Sequence, residues 1–111
     1  MATKTSTDVT VKIIPNESHA PKGKLADAEL HFSSGPLAGL KLIGFGIWER
    51  RTGDGRNVTF PARQYRVNGE RRSFALLRPL TDTDATTAIR DRILAAYAEA
   101  EQAAAAELAT A

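Results

Sequence analysis

Arginine and aromatic side chains are concentrated in the middle of this chain. The stretch IWERRTGDGRNVTFPARQYR, residues 47–66, holds five arginines together with Trp48, Phe60 and Tyr65. A guanidinium group bonds phosphate in a bidentate manner and stacks on planar groups, and an exposed aromatic ring stacks on unpaired bases. These side chains predict a nucleic-acid-binding surface. Its candidate residues are Trp48, Arg50, Arg51, Arg56, Arg63, Tyr65, Arg66, Arg71, Arg72 and Arg78.

The aromatic side chains have a second interpretation. Rings of this size dominate protein cores and subunit interfaces, so Trp48, Phe60, Tyr65 and Phe74 are also suited to packing inside the fold or between two copies. For Trp48, a place on the binding face and a place in a dimer interface both fit the sequence.

Positive charge follows the same region. Residues 41–80 hold nine Lys or Arg against three acids, net +6, and residues 81–111 hold two Arg against six acids, net −4. A concentrated basic patch attracts polyanions more strongly than the total charge of +2 suggests. This pattern favours a nucleic-acid partner. From another class, a protein-interaction module with a basic face for an acidic partner is the alternative.

Side chains for catalysis or metal binding are sparse. The chain has no cysteine, and its two histidines, His19 and His31, each lack a second histidine at ligand spacing. The segment GFGIWE at 44–49 lacks the third glycine of a dinucleotide-binding fingerprint and continues a strand. We therefore predict a non-enzymatic protein with no catalytic residue, no cofactor and no metal site.

The elements that position these residues are strands followed by a helix. Apolar and polar residues alternate in several short segments separated by Gly, Pro and Asn, which is typical of antiparallel strands. The predicted strands lie within residues 8–15, 24–32, 40–51, 56–67 and 70–80. The fold class is α+β, with an antiparallel sheet of about five strands followed by one C-terminal amphipathic helix.

Strand periodicity predicts which side chains face the core. In the second strand the even positions, Ala26 to Phe32, face inward. In the third strand Ile43, Phe45 and Ile47 share one face, and Trp48 lies on the other.

Turn residues predict how the later strands connect. TGDG at 52–55 and Asn68-Gly69 are hairpin signals, the second of the type I′ kind. Pro61 cannot donate a ladder hydrogen bond, so its strand lies at an edge or carries a bulge there.

The last third of the chain has helical spacing. Ile89, Ile93, Tyr97 and Ala100 recur at intervals of three and four residues after a Thr/Asp-rich start. Residues 1–111 are predicted to form a single nucleic-acid-binding domain with an ordered core over about 8–98. The N-terminal few residues and the Ala-rich C-terminal tail are expected to fray.

Location and assembly follow from what the sequence contains. The start, MATKTSTDVT, has no apolar signal segment, and the absence of cysteine suits a reducing compartment, so we predict a cytoplasmic protein without membrane association.

One sheet with one helix leaves a face or edge of the sheet uncovered, and strand pairing between two copies of the chain would cover it. A homodimer is therefore expected.

Several short motifs resemble the SpoVG (septation regulator) family over roughly residues 8–98. The similar segments are GRNVTFPAR at 55–63, NGE at 68–70, ALLRPL at 75–80, IRDRILAAY at 89–97 and the opening DVTVKII and KLADAELHF. The matching positions are Gly55, Pro61, Arg63, Gly69, Glu70, Pro79 and Tyr97. The resemblance implies a small α+β fold, dimerisation through the sheet, and DNA or RNA binding as a bacterial regulator.

The start of the helix departs from that family. A Thr-Arg-x-Lys-like run is typical there, whereas this chain has residues 85–88, Ala-Thr-Thr-Ala, with Arg90 and Arg92 one turn later. Any binding face is then expected on the strands. We predict a homodimer that holds single-stranded DNA on a basic and aromatic sheet surface, and the alternative is a SpoVG-like regulator that grips duplex DNA or RNA through phosphates.

Overall fold

The chain folds as six strands followed by a C-terminal helix in the computed structural model, which describes residues 8–18, 20–50, 55–81 and 83–110. Pro15, Pro61 and the glycine-rich turns separate the strands, because proline lacks a donor N–H and glycine adopts turn conformations readily. The elements are β1 (Val9–Pro15), β2 (Lys24–Phe32), β3 (Lys41–Glu49), β4 (Arg56–Thr59), β5 (Ala62–Val67), β6 (Glu70–Ala75) and α1 (Asp84–Thr110).

The first four strands form one antiparallel sheet in the order β1-β2-β3-β4. Ala26, Ala28 and Leu30 of β2 are buried and Phe32 packs at the edge of the core, so the predicted inward face of this strand is confirmed. Ile93 of α1 is buried against the same face. We call β1–β4 with α1 the body of the protein.

The predicted facing of β3 is wrong at one end. Ala28 pairs with Phe45 and Leu30 pairs with Leu42, so β3 carries one more residue than β2 between these pairs and forms a bulge. The bulge reverses the alternation, and Leu42 packs against the core with Phe45 and Ile47. Ile43, which was predicted to face inward, is 58% exposed.

The bulge is stabilised by a contact between Gly44 and Pro61. Gly44 has a φ of +110°, and a Cβ at this position would lie 2.9 Å from the Pro61 Cβ. Only glycine has both the conformational freedom and the space that this contact requires. The buried Pro61 therefore lies directly on the sheet at the point where the chain leaves it.

The prediction of about five strands in one sheet is wrong, because the strand expected over residues 56–67 is interrupted at Pro61. Residues 56–59 complete the four-stranded sheet as β4, whereas residues 62–67 form β5, which pairs with β6 in a separate two-stranded sheet. Proline cannot donate to a sheet ladder. Among the described residues there are six strands in two sheets.

The two-stranded sheet projects from the body as an arm, defined here as β5 and β6 with their connecting turn. Asn68 and Gly69 have φ values of +52° and +82°, which confirms the predicted two-residue turn with positive φ at both positions. Every residue of β5 and β6 is exposed, and the arm has no extensive contact with another element. The radius of gyration is 16.4 Å, compared with about 13 Å for a compact domain of this length.

Helix α1 closes the core of the body. Ile89, Leu94 and Tyr97 pack around the buried Ile93, and residues 101–109 are exposed. The backbone N–H groups of Thr86 and Thr87 donate to the Thr83 carbonyl at the start of the helix, within the Thr/Asp-rich segment of the sequence.

Candidate nucleic-acid interface

The pairing of β5 with β6 sorts the arm residues onto two faces. Side chains directly opposite each other on paired strands lie on the same face, and Tyr65 pairs with Arg72 while Arg66 pairs with Arg71. We call one side the aromatic face, and it carries Arg63, Tyr65, Val67, Glu70, Arg72 and Phe74. The other, the polar face, carries Ala62, Gln64, Arg66, Arg71, Ser73 and Ala75.

The aromatic face interleaves rings with guanidinium groups. Tyr65 pairs with Arg72, Phe74 pairs with Arg63, and both rings are exposed. The guanidinium carbon of Arg78 lies 4.9 Å from the centroid of the Phe74 ring, a cation–π contact at the base of the arm. This face therefore offers flat apolar surface beside cationic groups, which is the combination that base stacking and phosphate contacts require.

The polar face places two like charges opposite each other. Arg66 and Arg71 are cross-strand partners, and within the described residues neither forms an ion pair. Like charges in this position destabilise a strand pair. Nearby, Gln64 Nε2 donates to Ser73 Oγ over 3.4 Å, and no acid lies on this face of the arm. An anion bound between the two arginines would relieve their repulsion.

Trp48 lies on the body, apart from the arm. Its Nε1 donates to Thr59 Oγ1 over 2.9 Å, and Lys24 Nζ lies 5.8 Å from the ring centroid. The ring is half-buried and, with Lys22, Glu49 and Arg50, lines a hollow at the end of β3. Arg51 falls outside the described residues. Trp48 and Arg50 thus form a second basic and aromatic patch.

Arg56 links β4 to the helix. Its Nη2 lies 2.7 Å from Glu101 Oε2, and its guanidinium carbon lies 5.4 Å from the Tyr97 ring centroid. Partial burial alone would lower the pKa of Arg56, but the bond to Glu101 and the interaction with Tyr97 outweigh it and raise the pKa. Burial and the Glu101 charge raise the pKa of Tyr97. Through these contacts Arg56 helps to hold α1 on the sheet.

The strand surface opposite the helix carries an acidic side chain among its basic ones. Glu29 Oε1 lies 2.9 Å from His31 Nε2 and 3.3 Å from Lys41 Nζ, and Lys12 is the cross-strand partner of Glu29. The hydrogen bond to His31 and the nearby Lys41 hold the pKa of Glu29 below its usual value. Since Glu29 offsets part of the positive charge here, the four-stranded sheet is less suited to a polyanion than the arm.

The ten sequence-predicted residues therefore separate into distinct places. The arm holds five of them, Arg63, Tyr65, Arg66, Arg71 and Arg72, and Arg78 lies at its base. Sequence reasoning left out Phe74, although Asn68-Gly69 specifies a two-residue turn whose register places Phe74 opposite Arg63. Residues 62–75 carry four Arg against one Glu, net +3.

Comparisons of the chain with models of protein families, with curated proteins and with solved structures each give no match. The resemblance to the SpoVG family stays a prediction. Within the described part of the chain, no helical segment is long and apolar enough to cross a bilayer.

Proposed function

We propose that this protein is a non-enzymatic nucleic-acid-binding protein that holds single-stranded DNA on the aromatic face of the arm. The observation that supports this most directly is the juxtaposition, on one exposed face, of Tyr65 and Phe74 with Arg63 and Arg72. The arm buries none of these side chains against the body, and within the arm Arg72 Nη2 lies 3.1 Å from Glu70 Oε1 while Arg78 lies on the Phe74 ring. A bound strand would therefore exchange these two exposed contacts for its own.

Binding would combine two kinds of contact. Unpaired bases stack on Tyr65 and Phe74, each stack contributing about 1–3 kcal/mol, and the neighbouring guanidinium groups bond the phosphates between them. Duplex DNA keeps its bases stacked inside the helix and cannot offer their faces in this way. The binding form is a homodimer, which presents two such arms to one strand.

A second candidate function rests on the polar face. The facing pair Arg66 and Arg71 can contact phosphates without any base, as a SpoVG-like regulator of duplex DNA or RNA would. An acidic protein partner is the third possibility, since a basic surface attracts any polyanion.

The test is a titration of the protein with a labelled single strand, the matching duplex, the same sequence as RNA, and inorganic polyphosphate, each at several salt concentrations. We expect the single strand to bind most tightly and its affinity to fall as salt rises, because phosphate contacts release counterions. Polyphosphate carries charge without bases and therefore measures the phosphate contribution alone.

Matched variants separate the two faces of the arm. Arg63→Ala with Arg72→Ala, and Arg66→Ala with Arg71→Ala, each remove two positive charges from the same two strands. We expect the first pair to weaken single-strand binding at least about tenfold more than the second, and both pairs to weaken polyphosphate binding equally. If both double variants lose the same affinity for every ligand, the stacking model is wrong and binding depends on phosphate contacts alone.

The fluorescence of Trp48 can show whether bound single-stranded DNA extends from the arm onto the body. It is the one tryptophan of the chain, so its fluorescence reports a single position. Quenching by the single strand would add the Trp48 and Arg50 patch to the site, and unchanged emission would confine the site to the arm. Binding to an acidic protein, with no affinity for any nucleic acid, would favour the protein-interaction module.

A further inference from the structure

The two faces of the arm differ in their chemistry. The aromatic face carries Arg63 and Arg72 against Glu70, net +1, and holds both rings of the arm. The polar face carries Arg66 and Arg71 without an acid, net +2, and holds no ring. The more positive face thus lacks apolar surface for stacking. One face therefore suits a ligand segment that offers bases, and the other suits a segment that offers only phosphates.

The two arginines of the polar face form no ion pair in the described part of the chain. Both are exposed, and they face each other across the strand pair. Their neighbours on this face, Gln64 and Ser73, are uncharged and bond each other. Like charges directly opposite each other destabilise a strand pair. A phosphate held between Arg66 and Arg71 would remove this repulsion, and guanidinium groups bond phosphate oxygens well.

Both faces of the arm are open at the same time. Every residue of β5 and β6 is exposed, and the arm has no extensive contact with the body. A two-stranded sheet on its own has marginal stability, so a ligand that contacts both faces would stabilise the arm more than a ligand on one face. Each strand has six residues, which makes the arm about 20 Å long. Two ligand segments bound in this way lie back to back, with the strand pair between them.

We propose that the arm binds forked DNA, with a single-stranded branch on the aromatic face and the adjoining duplex on the polar face. In a fork, one strand leaves its partner, so an unpaired segment and a duplex diverge from one point and can lie on either side of a narrow ribbon. The duplex offers phosphates but not the faces of its bases, which matches the polar face, and the unpaired branch offers both. This inference rests on the proposed function and adds the simultaneous use of the two faces by one branched DNA.

The test compares a fork with its separate parts. The labelled probes are a single strand, a duplex, and the fork that joins the same strand to the same duplex. We expect the fork to bind at least about tenfold more tightly than the single strand, because joining the parts makes the second contact intramolecular. Equal affinities for the fork and the single strand would overturn the inference and leave the proposed function intact. No affinity for the single strand would overturn both.

Matched variants show whether the polar face holds the duplex. Arg66→Ala with Arg71→Ala should lower the affinity for the fork to about that of the wild type for the single strand, whereas Arg63→Ala with Arg72→Ala should lower the affinity for both probes. The first pair of substitutions removes a repulsion, so it should not unfold the arm. A polar-face variant that keeps the wild-type preference for the fork would overturn the inference.

A mixed dimer tests whether one arm holds both segments. Co-expression of the two double variants, followed by purification through two different tags, gives dimers in which one arm keeps the aromatic face and the other keeps the polar face. Such dimers should not regain the wild-type affinity for the fork, because the inference requires both faces on one arm. Recovery of that affinity would place the two branches on different arms and overturn the inference. In a monomer, a preference for the fork would itself require one arm.

Discussion

The body and the arm are both built from antiparallel hairpins, yet their side chains have different surroundings. In the body, Ala26 pairs with Ile47 and both are buried under the helix. In the arm, Tyr65 pairs with Arg72 and both are exposed. Stability in this chain therefore comes from one segment and the candidate binding surface from another, so substitutions in the two segments should affect different measurements.

The largest difference is expected between two phenylalanines. Phe45 is buried and makes an edge-to-face contact with Phe60 at a centroid distance of 5.3 Å, so Phe45→Ala should lower the free energy of unfolding by about 3–5 kcal/mol. Phe74→Ala in the arm should lower it by about 1 kcal/mol or less, because that ring is 47% exposed and its cation–π contact with Arg78 is at the surface. Urea denaturation followed by circular dichroism gives both values. Similar values for the two variants would mean that the arm is part of the folding core.

Two glycines give the next comparison. Both Gly44 and Gly69 have positive φ, but a Cβ at Gly44 would lie 2.9 Å from Pro61, whereas a Cβ at Gly69 would meet nothing within 4 Å. Gly69→Ala should cost about 1 kcal/mol of backbone strain, and Gly44→Ala should cost more than about 2 kcal/mol, because strain and crowding add. Thermal unfolding measures both costs, and equal costs would show that Pro61 moves freely away from the sheet.

The smallest effect concerns pH and the charge cluster of Glu29. Its pKa is lowered by the hydrogen bond to His31 and by Lys41, so the folded state binds a proton less readily than the unfolded chain. The resulting stabilisation is complete above the ordinary carboxyl range near pH ~4.3 and is lost as the pH falls through the lowered pKa of Glu29. Glu29→Gln should therefore melt slightly below the wild type at neutral pH and together with it in acid. A gap that persists in acid would point to lost packing instead of lost charge.

The parts of the fold that local rules determine could be predicted from the sequence. Alternation in KLADAELHF identified β2 with its full bounds and its buried face, and Asn-Gly identified the turn of the arm. Both signals depend on residues adjacent in the chain, where steric preference and periodicity act directly.

The bulge and the break between the two sheets could not be predicted in the same way. They depend on the contact of Gly44 with Pro61, two residues that the alternation pattern treats independently. Proline indicated an interruption, but only the packed structure shows that the chain leaves the sheet there instead of continuing along its edge.

For the candidate site, the sequence identified which residue types are involved better than it identified which residues lie next to each other in the fold. Five of the ten predicted residues share the arm, and the turn signal was enough to group them. Arg56 belongs elsewhere because its partner Glu101 lies 45 positions along the chain, a separation at which no local pattern acts. The binding role of the arm itself remains a proposal.

The absence of arm side chains from the core also has an evolutionary consequence. A buried position accepts few replacements, since most of them lower stability toward the threshold below which a protein is lost to selection. The twelve strand residues of the arm are exposed, so most substitutions there should cost little folding stability. The surface of the arm can therefore change in a few mutations, whereas replacing Phe45, Ile47 or Ile93 beneath the helix would lower stability.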